Sequence, residues 1–211
     1  MKRTTTRRAP IFVAALLALT PAVASAIPAS AATQTAAFRC RAGGLAGSFE
    51  GMLYQEIGGK APSTVAPGKD ATIVLAPNAT SVPTFGGSLK EVKDIKLKVP
   101  FPTSSTYRSS SLSGGFGLGN VTLRESDQAL VITATGPVPG GADYQLPTLS
   151  ITVTANDSGD IQSTLGGTSF DEPGLTFTAV AAPDADVATS CYPDPNLILT
   201  STTITSSSVA R

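Results

Sequence analysis

The chain has 211 residues, 41% of them hydrophobic and only 14% charged, with 15 Lys and Arg balancing 15 Asp and Glu. There is no basic surplus to neutralise phosphates, so no nucleic-acid partner is expected. Histidine and tryptophan are absent; this removes the commonest general base and most zinc sites, and it weakens any sugar-stacking role.

Residues 1–31 read as an export signal. Lys2, Arg3, Arg7 and Arg8 precede an apolar run of nine residues, Ile11 to Leu19, which Pro21 follows. Nine residues fall far short of the roughly 20 needed to span a bilayer. Small-residue cleavage sites place the cut after Ala26 or Ala31. Processing leaves 11 basic residues against 15 acidic ones, a net charge of −4. No second apolar run could span a membrane, so the expected product is secreted or held at the cell surface. Residues 32–211 are expected to form a single domain.

Within that domain the hydrophobic period is two almost throughout. "ATIVLA" places Ile73 and Leu75 on one face, and "IKLKV" places Ile95, Leu97 and Val99 there. "NVTLRE" does the same with Val121 and Leu123, "ALVITAT" with Leu130 and Ile132, and "GLTFTAVA" with Leu175, Phe177 and Ala179. "LSITVTA" is the cleanest, with Leu149, Ile151 and Val153 alternating with Ser150, Thr152 and Thr154. Such alternation marks half-buried strands, and threonine suits their wetter face. The expected core is Phe38, Phe49, Leu53, Ile73, Leu75, Ile95, Leu97, Val99, Leu123, Leu130, Ile132, Leu149, Ile151, Val153, Leu175 and Phe177.

Turn signals such as "VAPGKD", "PVPGGAD" and "FDEPG" separate the strands. "NDSG" (Asn156 to Gly159) reads as a hairpin loop between two strands. Gly86 to Asp94 is either a short helical turn or a lead-in to the lysine strand, which Pro100 and Pro102 end. Pro100 to Gly119 is the most loop-like stretch. The Ser/Thr-rich segment after Leu199 is a last strand that frays. These elements predict an all-β fold of nine to eleven strands: an immunoglobulin-like sandwich of two antiparallel sheets.

Cys40 and Cys191 are the two cysteines, near the two ends of the mature chain. In an oxidising compartment an even count is most simply one disulfide. It would tie the first strand to one of the last.

The sequence offers no catalytic, cofactor-binding or metal site. There is no Gly-x-Ser-x-Gly elbow, and two bridged cysteines supply no thiolate. The glycine-rich "GGFGLGN" (Gly114 to Asn120) enters a strand rather than the helix a phosphate cradle requires, and reads as a mobile loop. Asp157, Asp160, Asp184 and Asp186 lie in turns without a calcium-ligand series. Asn78, Asn120 and Asn156 begin Asn-x-Ser/Thr triplets, which matter only in a eukaryotic secretory route.

The segments "APSTVAPGKDATIVL", "VKDIKLKVPFPTSSTYRSSSLSGG", "GPVPGGADYQLPTLSITVTA", "LGGTSFDEPGLTFTA" and "TSCYPDPNLILTSTTI" together cover most of the mature chain. On these the chain resembles uncharacterised exported β-sandwich proteins of high-GC Gram-positive bacteria. The "VAPG" and "VPFPTSSTY" segments are similar to immunoglobulin-like modules of bacterial surface proteins. The resemblance implies a secreted sandwich and assigns no functional residue.

The leading expectation is therefore a non-catalytic extracellular module with a surface, adhesion or structural binding role and a protein or cell-envelope partner. One alternative is a carrier of an apolar small molecule or lipid, which requires a cavity larger than ordinary packing leaves. Another is an exported hydrolase using Asp/Glu and Ser, which requires those side chains to converge in a cleft.

Overall fold

The computed structural model describes residues 32–44, 47–126 and 128–205. The export signal, both cleavage sites and the end of the Ser-rich tail lie outside the described residues. Sixteen strands follow one another: β1 (Ala32–Gly44), β2 (Gly47–Lys60), β3 (Thr64–Val65), β4 (Asp70–Pro77), β5 (Thr80–Ser81), β6 (Leu89–Pro100), β7 (Ser105–Ser113), β8 (Val121–Ser126), β9 (Ala129–Ala134), β10 (Val138–Pro139), β11 (Asp143–Tyr144), β12 (Thr148–Ala155), β13 (Asp160–Ser163), β14 (Leu175–Ala181), β15 (Ala185–Pro193) and β16 (Thr200–Ile204). A single 3-10 turn, Phe85–Gly87, leads into β6. The stretch from Gly86 is thus a strand lead-in. The stretch expected to be most loop-like contains the nine-residue strand β7.

The fold is all-β, sandwich- or barrel-like in arrangement, with antiparallel pairing in the main sheet and a parallel pair of β3 with β16. Eleven strands form the main sheet in the order β7-β12-β4-β2-β1-β15-β14-β6-β9-β8, with β10 added beside β6. The strands at the two ends of this path, β7 and β8, are consecutive in the chain. The Tyr107 hydroxyl on β7 donates to the Glu125 carboxylate on β8 at 2.6 Å. The sheet therefore curls until its two ends meet, as a long right-twisted sheet tends to do. Burial and the bond to Glu125 hold the Tyr107 phenol above its ordinary pKa. Two small sheets complete the layers, β13-β16-β3 and β11-β5.

Two local expectations need correction. Strand β13 pairs with β16 rather than with its neighbour β12, so "NDSG" is a crossover between sheets and not a hairpin loop. The chain leaves β12 at a sheet that already has β4 and β7 on its two sides, so no free edge remains for β13. The glycine-rich segment is packed rather than loose. Phe116 bridges Gln145, and Leu118 is buried. Gly117 has φ 76°, and a Cβ there would lie 2.8 Å from the Asp143 carbonyl oxygen, so only glycine fits.

The core follows the alternation. In β12 the residues Leu149, Ile151 and Val153 are buried while Ser150, Thr152 and Thr154 are partly exposed. Register sets Ile151 against Ile73 and Leu149 against Leu75 and Leu112. Ile161, Leu165, Leu199 and Ile204, in and beside the small β13-β16-β3 sheet, belong to the same core. There Ser163 and Thr200 hydrogen-bond each other, and the Thr202 hydroxyl donates to the Pro62 carbonyl at 2.6 Å, so the buried hydroxyls are satisfied. Urea unfolding should separate the two faces of β12. Ile151→Val is expected to cost about 1 kcal/mol, the usual loss for one buried methylene. Thr152→Val, on the wetter face, should change stability by less than about 0.5 kcal/mol. Equal losses would contradict this placement.

Candidate functional site

The same inward alternation that fills the core at one end of the main sheet leaves it open at the other. At the filled end the facing residues are branched or long. Along β2-β1-β15-β14-β6 many inward residues are small. Phe49 faces Ala42, Ala42 faces Thr189, and Thr189 faces Phe177. In the next row Gly51 faces Cys40, Cys40 faces Cys191, and Cys191 faces Leu175. Further along, Ala179 sits between Val187 and Val92. Opposite this wall lies the segment around β5 and the 3-10 turn, with Val82 and Phe85, and the β11 region, with Tyr144 and Leu146. Small side chains on one wall cannot reach the other, and an apolar cavity of about 770 Å³ remains between them. Protein interiors ordinarily keep few voids larger than a water molecule, whereas ligand pockets span roughly 300–1,000 Å³.

The disulfide is built into this wall. Cys40 and Cys191 are directly facing residues of β1 and β15 and are bonded, 151 residues apart in the chain. The bridge expected from the sequence thus joins two strands that are adjacent in the sheet, and Cys40 lines the cavity.

Phe49, expected in the core, is 70% exposed. It lies in phase with Gly51 and Leu53 and lines the cavity, but its row neighbours Ala42 and Thr189 are too small to cover it. Phe85 on the opposite wall is 67% exposed and also lines the cavity. The mouth is therefore flanked by two aromatic rings.

No charged side chain is found among the described residues that line the cavity. Its polar groups are few. Thr80 and Tyr144 face each other across β5 and β11, and among the described residues no protein group hydrogen-bonds either hydroxyl. Burial pushes the Tyr144 phenol above its ordinary pKa. The amide of Gln55 is held to the Glu56 and Asn78 carbonyls at 2.9 and 2.8 Å.

A second concavity, about 730 Å³, follows the seam where β7 meets β8. It is a shallow groove lined by Tyr107, Arg108, Arg124, Glu125 and a run of serines. Tyr107 is engaged by Glu125 across the seam, and the Arg108 guanidinium donates to the Thr154 hydroxyl on β12 at 2.6 Å. It encloses no volume from which water would be excluded.

The acidic turns do not converge. Asp184 takes a hydrogen bond from Lys90 at 2.6 Å, and Asp186 pairs with Lys93 at 2.9 Å. The hydrogen bond to Asp186 raises the Lys93 pKa. Asp157 lies on a different connection, between β12 and β13, and Asp160 begins β13. Among the described residues no three His, Cys, Asp or Glu side chains are grouped to hold a metal ion.

No family model matches the chain, and no curated protein matches it. Among solved structures it is similar to a chain from Corynebacterium diphtheriae described as a "Putative membrane anchored protein". The TM-score is 0.51 at 15% sequence identity. The match covers 83% of this chain and 38% of that one, so this chain corresponds to little more than a third of its neighbour. At this identity the likeness concerns the fold, and it comes from a high-GC Gram-positive organism, in keeping with the resemblance drawn from the sequence. No helix among the described residues is long and apolar enough to cross a membrane.

Proposed function

We propose that the domain is a non-catalytic extracellular module that binds an apolar small molecule or lipid in the cavity between its β1-β2 wall and the β5-β11 region. The observation that carries this reading is the 770 Å³ cavity with an apolar lining. A cavity of this size was the feature that would distinguish a carrier from an adhesion or structural module. The hydrolase reading needs carboxylate and serine groups converging in a cleft, and the apolar cavity has no carboxylate in its lining.

The fold and the bridge are what such a role requires. An apolar cavity wet by solvent costs free energy unless the surrounding sheet is stiff enough to resist collapse. The β1-β15 disulfide braces the wall at its centre. A neighbour described as membrane-anchored supports a place at the cell envelope, where apolar molecules are at hand.

The test is a titration of the mature chain with N-phenyl-1-naphthylamine, an uncharged dye that fluoresces in apolar surroundings. Saturable enhancement at one dye per chain is expected, together with a rise in melting temperature, because a ligand bound to the native state alone stabilises it. A linear, unsaturable response without a change in melting temperature would refute the proposal.

A further inference from the structure

We infer that the ligand is an uncharged lipid, a long-chain alcohol or ester, whose polar group bonds to the Tyr144 hydroxyl, and that anionic lipids are rejected. This rests on the binding role just proposed and names the ligand class.

The argument starts from the lining. A carboxylate, phosphate or ammonium carried into an apolar cavity must be paired or pay a large desolvation cost. The cavity contains no Lys, Arg, Asp or Glu with which to pair it. The nearest ionic pairs named above, Lys90 with Asp184 and Lys93 with Asp186, engage each other and are not part of the lining. An ionised head would have to remain at the mouth, where it meets Phe49 and Phe85 rather than cations. An anionic head is disfavoured there, whereas a cationic head can lie against the two ring faces.

A wholly saturated hydrocarbon would leave one feature unused. Tyr144 lines the cavity, is partly buried, and its hydroxyl bonds to no protein group among the described residues. The Thr80 hydroxyl, paired to it in register, is in the same position. A phenol can donate to an ester carbonyl or accept from an alcohol. Burial keeps this phenol protonated well past neutral pH, so it remains a donor under all ordinary conditions. One polar group on an otherwise apolar molecule would complete this wall, as a few placed polar groups orient ligands in apolar pockets generally.

The experiment is displacement of N-phenyl-1-naphthylamine from the mature chain at pH 8 by 1-hexadecanol, methyl palmitate and palmitate, which share one chain length. The alcohol and the ester should displace the dye, and palmitate should do so at least about 100-fold more weakly. In Tyr144→Phe, with dye affinity measured separately for the variant, the affinity for the alcohol and the ester should fall about 5-fold, the worth of one hydrogen bond. The variant should fold, since it leaves no protein partner unbonded. Palmitate binding as well as the alcohol would overturn the inference while leaving the cavity's role intact. So would unchanged alcohol and ester affinity in Tyr144→Phe. Absence of dye binding would overturn both readings together.

Discussion

Replacing Cys40 and Cys191 together by alanine is expected to lower the unfolding free energy by up to roughly 5 kcal/mol. The two cysteines are 151 residues apart, so the bond closes most of the mature chain into one loop. Chain-entropy reasoning makes such a bond most stabilising when the loop is long. A domain of this size has only about 5–15 kcal/mol in hand, so the variant should be partly or wholly unfolded at 37 °C. The effect should also be directional. The bond joins facing residues of β1 and β15 in the middle of the main sheet, beside the small inward side chains of the cavity wall. Loss of the bond therefore loosens the part of the fold with the least side-chain packing, and hydrogen exchange should rise first in β1, β2 and β15. Urea unfolding of the oxidised protein and the double variant measures the loss. A difference under about 1 kcal/mol would show that packing alone holds this wall.

The second large effect is expected from Ala179→Phe. Ala179 stands between Val187 and Val92 on the cavity wall. A benzyl group in place of its methyl should occupy space the ligand needs and weaken binding of N-phenyl-1-naphthylamine at least about 10-fold. Stability should hold or rise, because the new ring buries apolar surface in a void. The comparison is Ala71→Phe. Ala71 is buried opposite Val153 in the filled part of the same sheet and does not line the cavity. Overpacking there should cost about 1–3 kcal/mol or more and leave dye affinity unchanged in whatever fraction stays folded. If both variants lose stability alike, the two ends of the sheet are equally packed and the account of the cavity fails.

Much of the architecture can be read from alternation. The inward faces of β4, β6, β9 and β12 are those that "TIVL", "IKLKV", "ALVITA" and "LSITVTA" indicate, because a period of two leaves only one choice of buried face. The bridge follows from export and an even cysteine count. Pairing order is different. Nothing in the sequence between β12 and β13 distinguishes a hairpin from a crossover, and nothing in β7 and β8 shows that they end a ten-strand path and meet by curling. Alternation reports which way a side chain faces, not which strand lies beside it.

The cavity is hidden for a related reason. The pattern in "GLTFTAVA" places Ala179 on the inward face just as "LSITVTA" places Leu149. Packing depends on volume, and Ala42, Gly51, Ala179 and Ala181 are inward yet short. The usable signal was a cluster of small residues at inward positions on one group of strands. It acquires meaning only when the register sets Ala42 beside Thr189 and Ala179 between two valines. Phe49 was misplaced by the same rule: its phase is right, but its neighbours are too small to bury it. Tyr144 and Thr80, on two-residue strands, carry no period at all.

The central claim is that the space between the β1-β2 wall and the β5-β11 region holds an apolar ligand. A crystal structure of the mature chain grown with 1-hexadecanol tests it most directly. The account predicts one alkyl chain lying against Phe38, Leu53 and Ala179, with its hydroxyl within hydrogen-bond distance of Tyr144. Walls closed on each other, or an alcohol seen only on the outer surface, would contradict it.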